Sequence, residues 1–113
     1  MCILGKKNRS LDEIPDEVFV PLGRRGMEAI PLKECTYACD GDELELLDVS
    51  KEPEEITGHS VEIVIEDWLV KCKKCDRPFT IRCKNRYVDG ERVDTLVNLL
   101  DDKGNDLGWL GNY

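Results

Sequence analysis

Six of the 113 residues are cysteines: Cys2, Cys35, Cys39, Cys72, Cys75 and Cys83. Cys72 and Cys75 are separated by two lysines, a gap that lets one tight turn aim both sulfurs at a single ion while backbone N–H groups support the thiolates. A structural metal site needs four such donors, so two more must come from elsewhere. Cys35 and Cys39, in Cys-Thr-Tyr-Ala-Cys ahead of Asp40-Gly41, are the leading second pair. Their three-residue gap permits either a loose turn or one helical turn. Cys83 lies eight residues past Cys75, roughly 26 Å along an extended strand at about 3.3 Å per residue. It also shares parity with Phe79 and Ile81, so it is expected to be a small core residue. Cys2 and His59, the only histidine, are the substitutes should one of the four fail to reach the site.

The pair is preceded by Trp68-Leu-Val-Lys and followed by Asp-Arg-Pro-Phe-Thr-Ile-Arg82, a strand signal on each side. Over residues 68–82, and no further, the chain resembles the knuckle of a zinc ribbon. The resemblance implies a structural zinc as cofactor, and a cysteine pair, a long insertion and a second pair is the order a ribbon needs. The gap between Cys35 and Cys39 departs from the ribbon pattern. A redox reading makes Cys72 an active thiol, its ionisation favoured by Lys71, Lys73 and Lys74. That chemistry normally places the first cysteine at a helix N-terminus, whereas Pro78 and the alternation after it point to a strand.

The elements that must hold these residues read as hairpins. Glu17-Val-Phe-Val-Pro-Leu and Glu28-Ala-Ile-Pro-Leu flank Gly23-Arg-Arg-Gly26, whose glycines suit a tight turn. Pro21 and Pro31 lack a ladder donor, which predicts edge strands. Residues 43–47 alternate and predict a third strand. Residues 50–58 are charged, contain Pro53 and lack an apolar face, so a loop, or at most one helical turn, is expected there. Val61, Ile63 and Ile65 alternate with Glu62, Val64 and Glu66 and predict a strand running into the cysteine pair. Phe79, Ile81 and Cys83 predict the next. Asp89-Gly90 predicts a hairpin turn. In residues 92–100 helical and strand spacing compete; the strand is favoured because 102–105 reads as a turn and 106–110 as its return. The expected fold is mostly β, one small domain of antiparallel hairpins over residues 1–113, with 1–10 as a candidate flexible segment.

Length and composition limit the function classes. With 41% hydrophobic and 35% charged residues, the chain has a modest core for which a metal staple is useful. The opening run Cys2-Ile-Leu is too short for a secretory signal, and no stretch approaches a membrane span. A reducing cytoplasm is therefore the expected compartment, where clustered cysteines bind metal more readily than they pair. No phosphate-binding glycine loop and no nucleophile–base pairing is visible, and four thiolates on one metal leave no open position for a substrate. The expected protein is not an enzyme.

The net charge of −8 is unevenly placed: residues 34–67 hold twelve acidic side chains against Lys51, and residues 71–86 hold seven basic ones against Asp76. Mutual neutralisation across neighbouring strands, with Glu62 and Glu66 meeting the cations, is the plain account. Two binding functions compete beyond it. In one, a protein partner is engaged by carboxylates such as Asp40, Asp42, Glu43 and Glu45, which could occupy a basic nucleic-acid channel. Small acidic inhibitors encoded by phages work in this way, an analogy of composition. In the other, Lys73, Lys74, Arg77, Arg82, Lys84 and Arg86 form a nucleic-acid surface, with Trp68 or Tyr87 for stacking. The overall acidity favours the protein partner.

Overall fold

The computed structural model describes residues 9–37, 39, 41–56 and 61–113. Seven strands, β1 (Glu17–Pro21), β2 (Met27–Pro31), β3 (Leu44–Ile56), β4 (Val61–Cys72), β5 (Pro78–Val88), β6 (Glu91–Leu100) and β7 (Asp106–Asn112), form one antiparallel sheet. Its order is β2-β1-β7-β6-β5-β4-β3, so β3 to β7 run as an uninterrupted meander. The turn between β5 and β6 holds Asp89 at φ 54° and Gly90 at φ 85°, the paired left-handed conformations of a type I′ hairpin. Residues 92–100 are strand, as the favoured reading has it, because β5 and β7 flank them along most of their length.

Alternation selects the buried face. Trp68, Val70 and Cys72 on β4 and Phe79, Ile81 and Cys83 on β5 are almost wholly inaccessible, and the register sets Trp68 opposite Ile81 and Val70 opposite Phe79. Val97, Val18, Leu46 and Val49 extend this layer onto the other strands, while Ile14 and Leu32 close over it from connecting segments. Cys83 is the core residue its parity predicts. Thr95 and Asn85 are the buried polar pair: the Thr95 hydroxyl donates to Asn85 Oδ1 at 2.6 Å, and Asn85 Nδ2 donates to Glu66 Oε1 at 3.2 Å. At the join of β1 and β7 a Cβ on Gly111 would lie 2.8 Å from Val18 Cγ2 and 3.0 Å from the Phe19 carbonyl, so only glycine lets these strands meet.

Two expectations need correction. Residues 50–56 are strand, not loop: β3 runs thirteen residues and pairs with β4 from Leu44↔Cys72 to Ile56↔Glu62. As the terminal strand it needs little apolar alternation, and Pro53 is tolerated beside the irregularity between Pro53 and Glu55. Residues 57 and 58 lie outside the described set, as do residues 1–8 of the candidate flexible segment. The first hairpin supplies an edge only through β2. β1 lies between β2 and β7, but it meets β7 at the single pair Phe19↔Asn112, which leaves Pro21 beyond the stretch where its missing donor would matter.

On the open face of the sheet, Arg82 donates to Asp67 through Nε at 2.8 Å and Nη2 at 3.0 Å, and Arg86 donates to Asp94 through Nε at 2.6 Å. The Arg86 guanidinium holds the Asp94 carboxyl below its ordinary range. A depressed folded pKa stabilises the fold above the unfolded pKa, and this contribution disappears as pH falls through the folded value. Because the pair is partly exposed, no more than about 1 kcal/mol is expected. Urea unfolding of the native protein and Asp94→Asn should show that gap at neutral pH, and it should close as pH falls below about 4. A gap independent of pH would show that the pair's charge contributes nothing.

Candidate metal centre

The sulfurs of Cys35, Cys39, Cys72 and Cys75 all lie within 4.8 Å of one another. Cys39 and Cys72 are 3.4 Å apart and Cys35 and Cys75 are 3.7 Å apart. Four sulfurs at about 2.3 Å from a central ion would be separated by about 3.8 Å at the edges of a tetrahedron, so the spacing and the donor set both fit a thiophilic metal. The order of the chain explains how they meet. Cys72 is the last residue of β4, opposite Leu44, the first residue of β3, so the segment entering β3 is delivered to the β4–β5 turn.

Each half is closed by its own backbone. In the β4–β5 turn, Asp76 N–H donates to the Cys72 carbonyl at 2.9 Å and Cys72 N–H to the Arg77 carbonyl at 3.1 Å. Asp76 occupies the left-handed region at φ 62°, where aspartate is one of the few tolerated side chains. Lys74 N–H donates to Cys72 Sγ at 3.3 Å. No helix follows Cys72, unlike the context a redox pair of this spacing normally has. In the other half, Cys35 N–H donates to the Gly41 carbonyl at 3.0 Å and Tyr37 N–H to Cys35 Sγ at 3.3 Å. Thr36 and Tyr37, in the three-residue gap, form a turn.

The thiols respond unequally. Cys72 is drawn down to about 6, first by the N–H of Cys75 and then by that of Lys74. Cys39 is pushed up to about 12, chiefly by Cys35, with desolvation and Cys72 acting the same way. Backbone dipoles therefore prepare one thiolate, while further negative charge meets repulsion that a bound cation would remove.

Sequence reasoning identified the four cysteines but missed two residues that hold them. A Cβ on Gly41 would sit 2.6 Å from Cys72 Sγ and 3.2 Å from Cys39 Sγ; the only trace in the sequence is a glycine two positions after Cys39. Tyr37 bridges the halves: its hydroxyl donates to the Pro78 carbonyl at 2.7 Å, its ring meets Phe79 edge-on at 6.0 Å, and the Arg77 guanidinium lies 3.7 Å from the ring centroid. The substitutes Cys2 and His59, and the carboxylate Asp40, lie outside the described residues.

The charged candidates are distributed around this centre. Asp42 and Glu43 are exposed beside it with Lys73 and Lys74. Glu43 pairs with Lys73 at 3.9 Å, Glu45 with Lys71 at 3.6 Å, and Arg77 with Asp102 at 3.5 Å. Arg82, Lys84 and Arg86 share the open face of β5, as their parity predicts. The carboxylates that meet the arginines are Asp67 and Asp94. Glu66, expected among them, lies on the opposite face, where it accepts from Asn85 and from Arg9 Nη2 at 3.1 Å. Trp68 is 1% exposed and cannot stack on a base; Arg9 packs over its ring at 5.0 Å. Trp109, 46% exposed on β7, is the accessible indole, and nothing in its short segment distinguished it from a core residue.

No known protein family matches the chain, and no curated protein or solved structure is significantly similar to it. Among the described residues no helix is long and apolar enough to cross a membrane.

Substituting alanine at Gly41 should force the two halves apart without removing a ligand. We expect a loss of about tenfold or more in affinity for Co2+, the size of effect typical of residues that orient ligands, read from thiolate-to-cobalt absorption. Unchanged affinity would show that the cysteines do not need this close approach.

Proposed function

We propose that the chain is a non-catalytic β module, held together by a structural zinc, that binds a basic protein partner in the manner of an inhibitor or regulator of a nucleic-acid-handling protein. Cys35, Cys39, Cys72 and Cys75 would hold the zinc. When bound, it would supply positive charge to the thiolates and a covalent tie between the segment before β3 and the β4–β5 turn. Four thiolate ligands leave no coordination position for a substrate, which supports a structural role.

One observation carries the choice of partner. Five of the seven cations in residues 71–86 face carboxylates within the fold: Lys71, Lys73, Arg77, Arg82 and Arg86. The basic segment is thus compensated internally, and the net charge of −8 is carried to the surface as excess carboxylate. Asp42 and Asp48, outside the ion pairs named above, are exposed at one end and along one edge of the sheet. A polyanion would have to displace Asp67 and Asp94 to reach Arg82 and Arg86, whereas a basic protein surface meets the exposed carboxylates directly.

Native mass spectrometry tests the staple: one zinc per chain is expected, lost in Cys39→Ser and in Cys75→Ser. Freshly reduced protein without zinc would remove the structural-metal reading. Fluorescence anisotropy tests the partner class, with a core histone and a single-stranded oligonucleotide as probes. Salt-sensitive histone binding should weaken by about tenfold when Asp42, Glu43 and Glu45 are neutralised together, and the oligonucleotide should not bind. Oligonucleotide binding abolished by Arg82→Glu and Lys84→Glu would overturn the proposal in favour of a nucleic-acid surface.

A further inference from the structure

We infer that the free edge of β3 receives an extended, basic segment of the partner as an eighth strand. The inference rests on the protein-binding reading above and specifies how that binding is made.

β3 ends the sheet, with β4 on one side and no other strand against it among the described residues. An edge strand leaves every second backbone N–H and C=O group pointing outward, a template for strand addition. Thirteen residues is long for such an edge, since strands are commonly about five or six residues. Irregularities between Leu46 and Asp48 and between Pro53 and Glu55 bound an evenly paired run, Asp48↔Leu69 through Pro53↔Val64. The irregularities break the template on both sides of that run and Pro53 ends it, so the competent stretch is residues 48–52.

The charge of the strand selects its occupant. The competent stretch holds Asp48 and Glu52 two residues to either side of Ser50, with Lys51 as its one cation. A second copy of β3 added antiparallel would set carboxylates against carboxylates, which is destabilising. A strand alternating lysine or arginine with apolar residues would set opposite charges together instead. The metal centre makes the edge a fixed platform: Lys73 N–H donates to the Glu43 carbonyl at 3.0 Å, and Leu44 is paired with Cys72. The start of β3 is therefore held in register before any partner arrives.

The test uses the zinc-loaded full chain and three probes: an alternating Lys–Val peptide, the same peptide N-methylated at every residue, and an alternating Glu–Val peptide. Amide exchange followed by NMR should slow by about tenfold or more at outward-facing amides of residues 48–52 with the first peptide only. Its affinity should fall by about tenfold in Asp48→Lys with Glu52→Lys, substitutions that leave the backbone pairs with Leu69 and Ile65 in place. Equal binding of the N-methylated peptide would overturn strand addition while leaving charge-driven protein binding intact. Protection centred on Arg82 and Lys84, or self-association through β3, would overturn it as well. Failure of both the Lys–Val peptide and the histone to bind would remove the inference together with the reading beneath it.

Discussion

Four cysteine sulfurs within 4.8 Å of one another impose the constraint on which the rest of the arrangement depends. Such a cluster cannot ionise fully without a compensating charge, and it cannot open without breaking the junction between two distant parts of the chain. The opposite displacements of Cys72 and Cys39 express that tension: backbone N–H groups favour one thiolate, and neighbouring sulfurs oppose the next. The described residues between β2 and β3 belong to no strand, and they are tied to the sheet by Leu32, Tyr37, Gly41, Glu43 and the two cysteines. A cation held at this point would fix this connection to the β4–β5 turn.

The sheet has the complementary problem. One face is closed by its own connecting segments, with Ile14, Leu32 and Tyr37 lying over Trp68, Phe79 and Ile81. The other is covered by no second layer among the described residues and is instead patterned with half-exposed ion pairs and scattered apolar side chains such as Leu69 and Trp109. Individually such pairs add little stability. Their clearer consequence is that a sequence with a strongly basic segment presents much less positive charge than its composition suggests.

Legibility in the sequence followed burial. β4 and β5 alternate because one face is sealed and the other is wet, and their boundaries with the cysteine turn were readable from Val61, Ile63, Phe79 and Ile81. The four clustered cysteines were readable from chemistry and order along the chain, and Cys83 from parity. β3 was half missed because its second half lies on the sheet's rim, where alternation is not enforced and charge with a proline reads as loop. Glu66 and Asp67 were exchanged in role for a related reason: adjacent carboxylates on a strand face opposite sides, and only the register with Arg82 decides which one meets the cation. Gly41 and Tyr37 act through contacts about thirty and about forty residues away in sequence, which no local pattern reports.

The long acidic rim and the cysteine cluster are best understood as one device. An isolated edge strand of this length risks self-pairing and aggregation, and the usual defences are charge, proline and irregular pairing. β3 uses all three, and its charge is mostly of one sign, five carboxylates against Lys51, which would repel copies of itself more than a chain of opposite sign. Repulsion among those carboxylates would itself loosen the strand from β4. Anchoring one end of it through Leu44, Glu43 and the four cysteines offsets that tendency where the strand begins. Were a cation bound there, its removal would therefore be felt first at the acidic edge and only later in the core around Trp68, because the core packs through the sheet's buried face and the edge is held from its end.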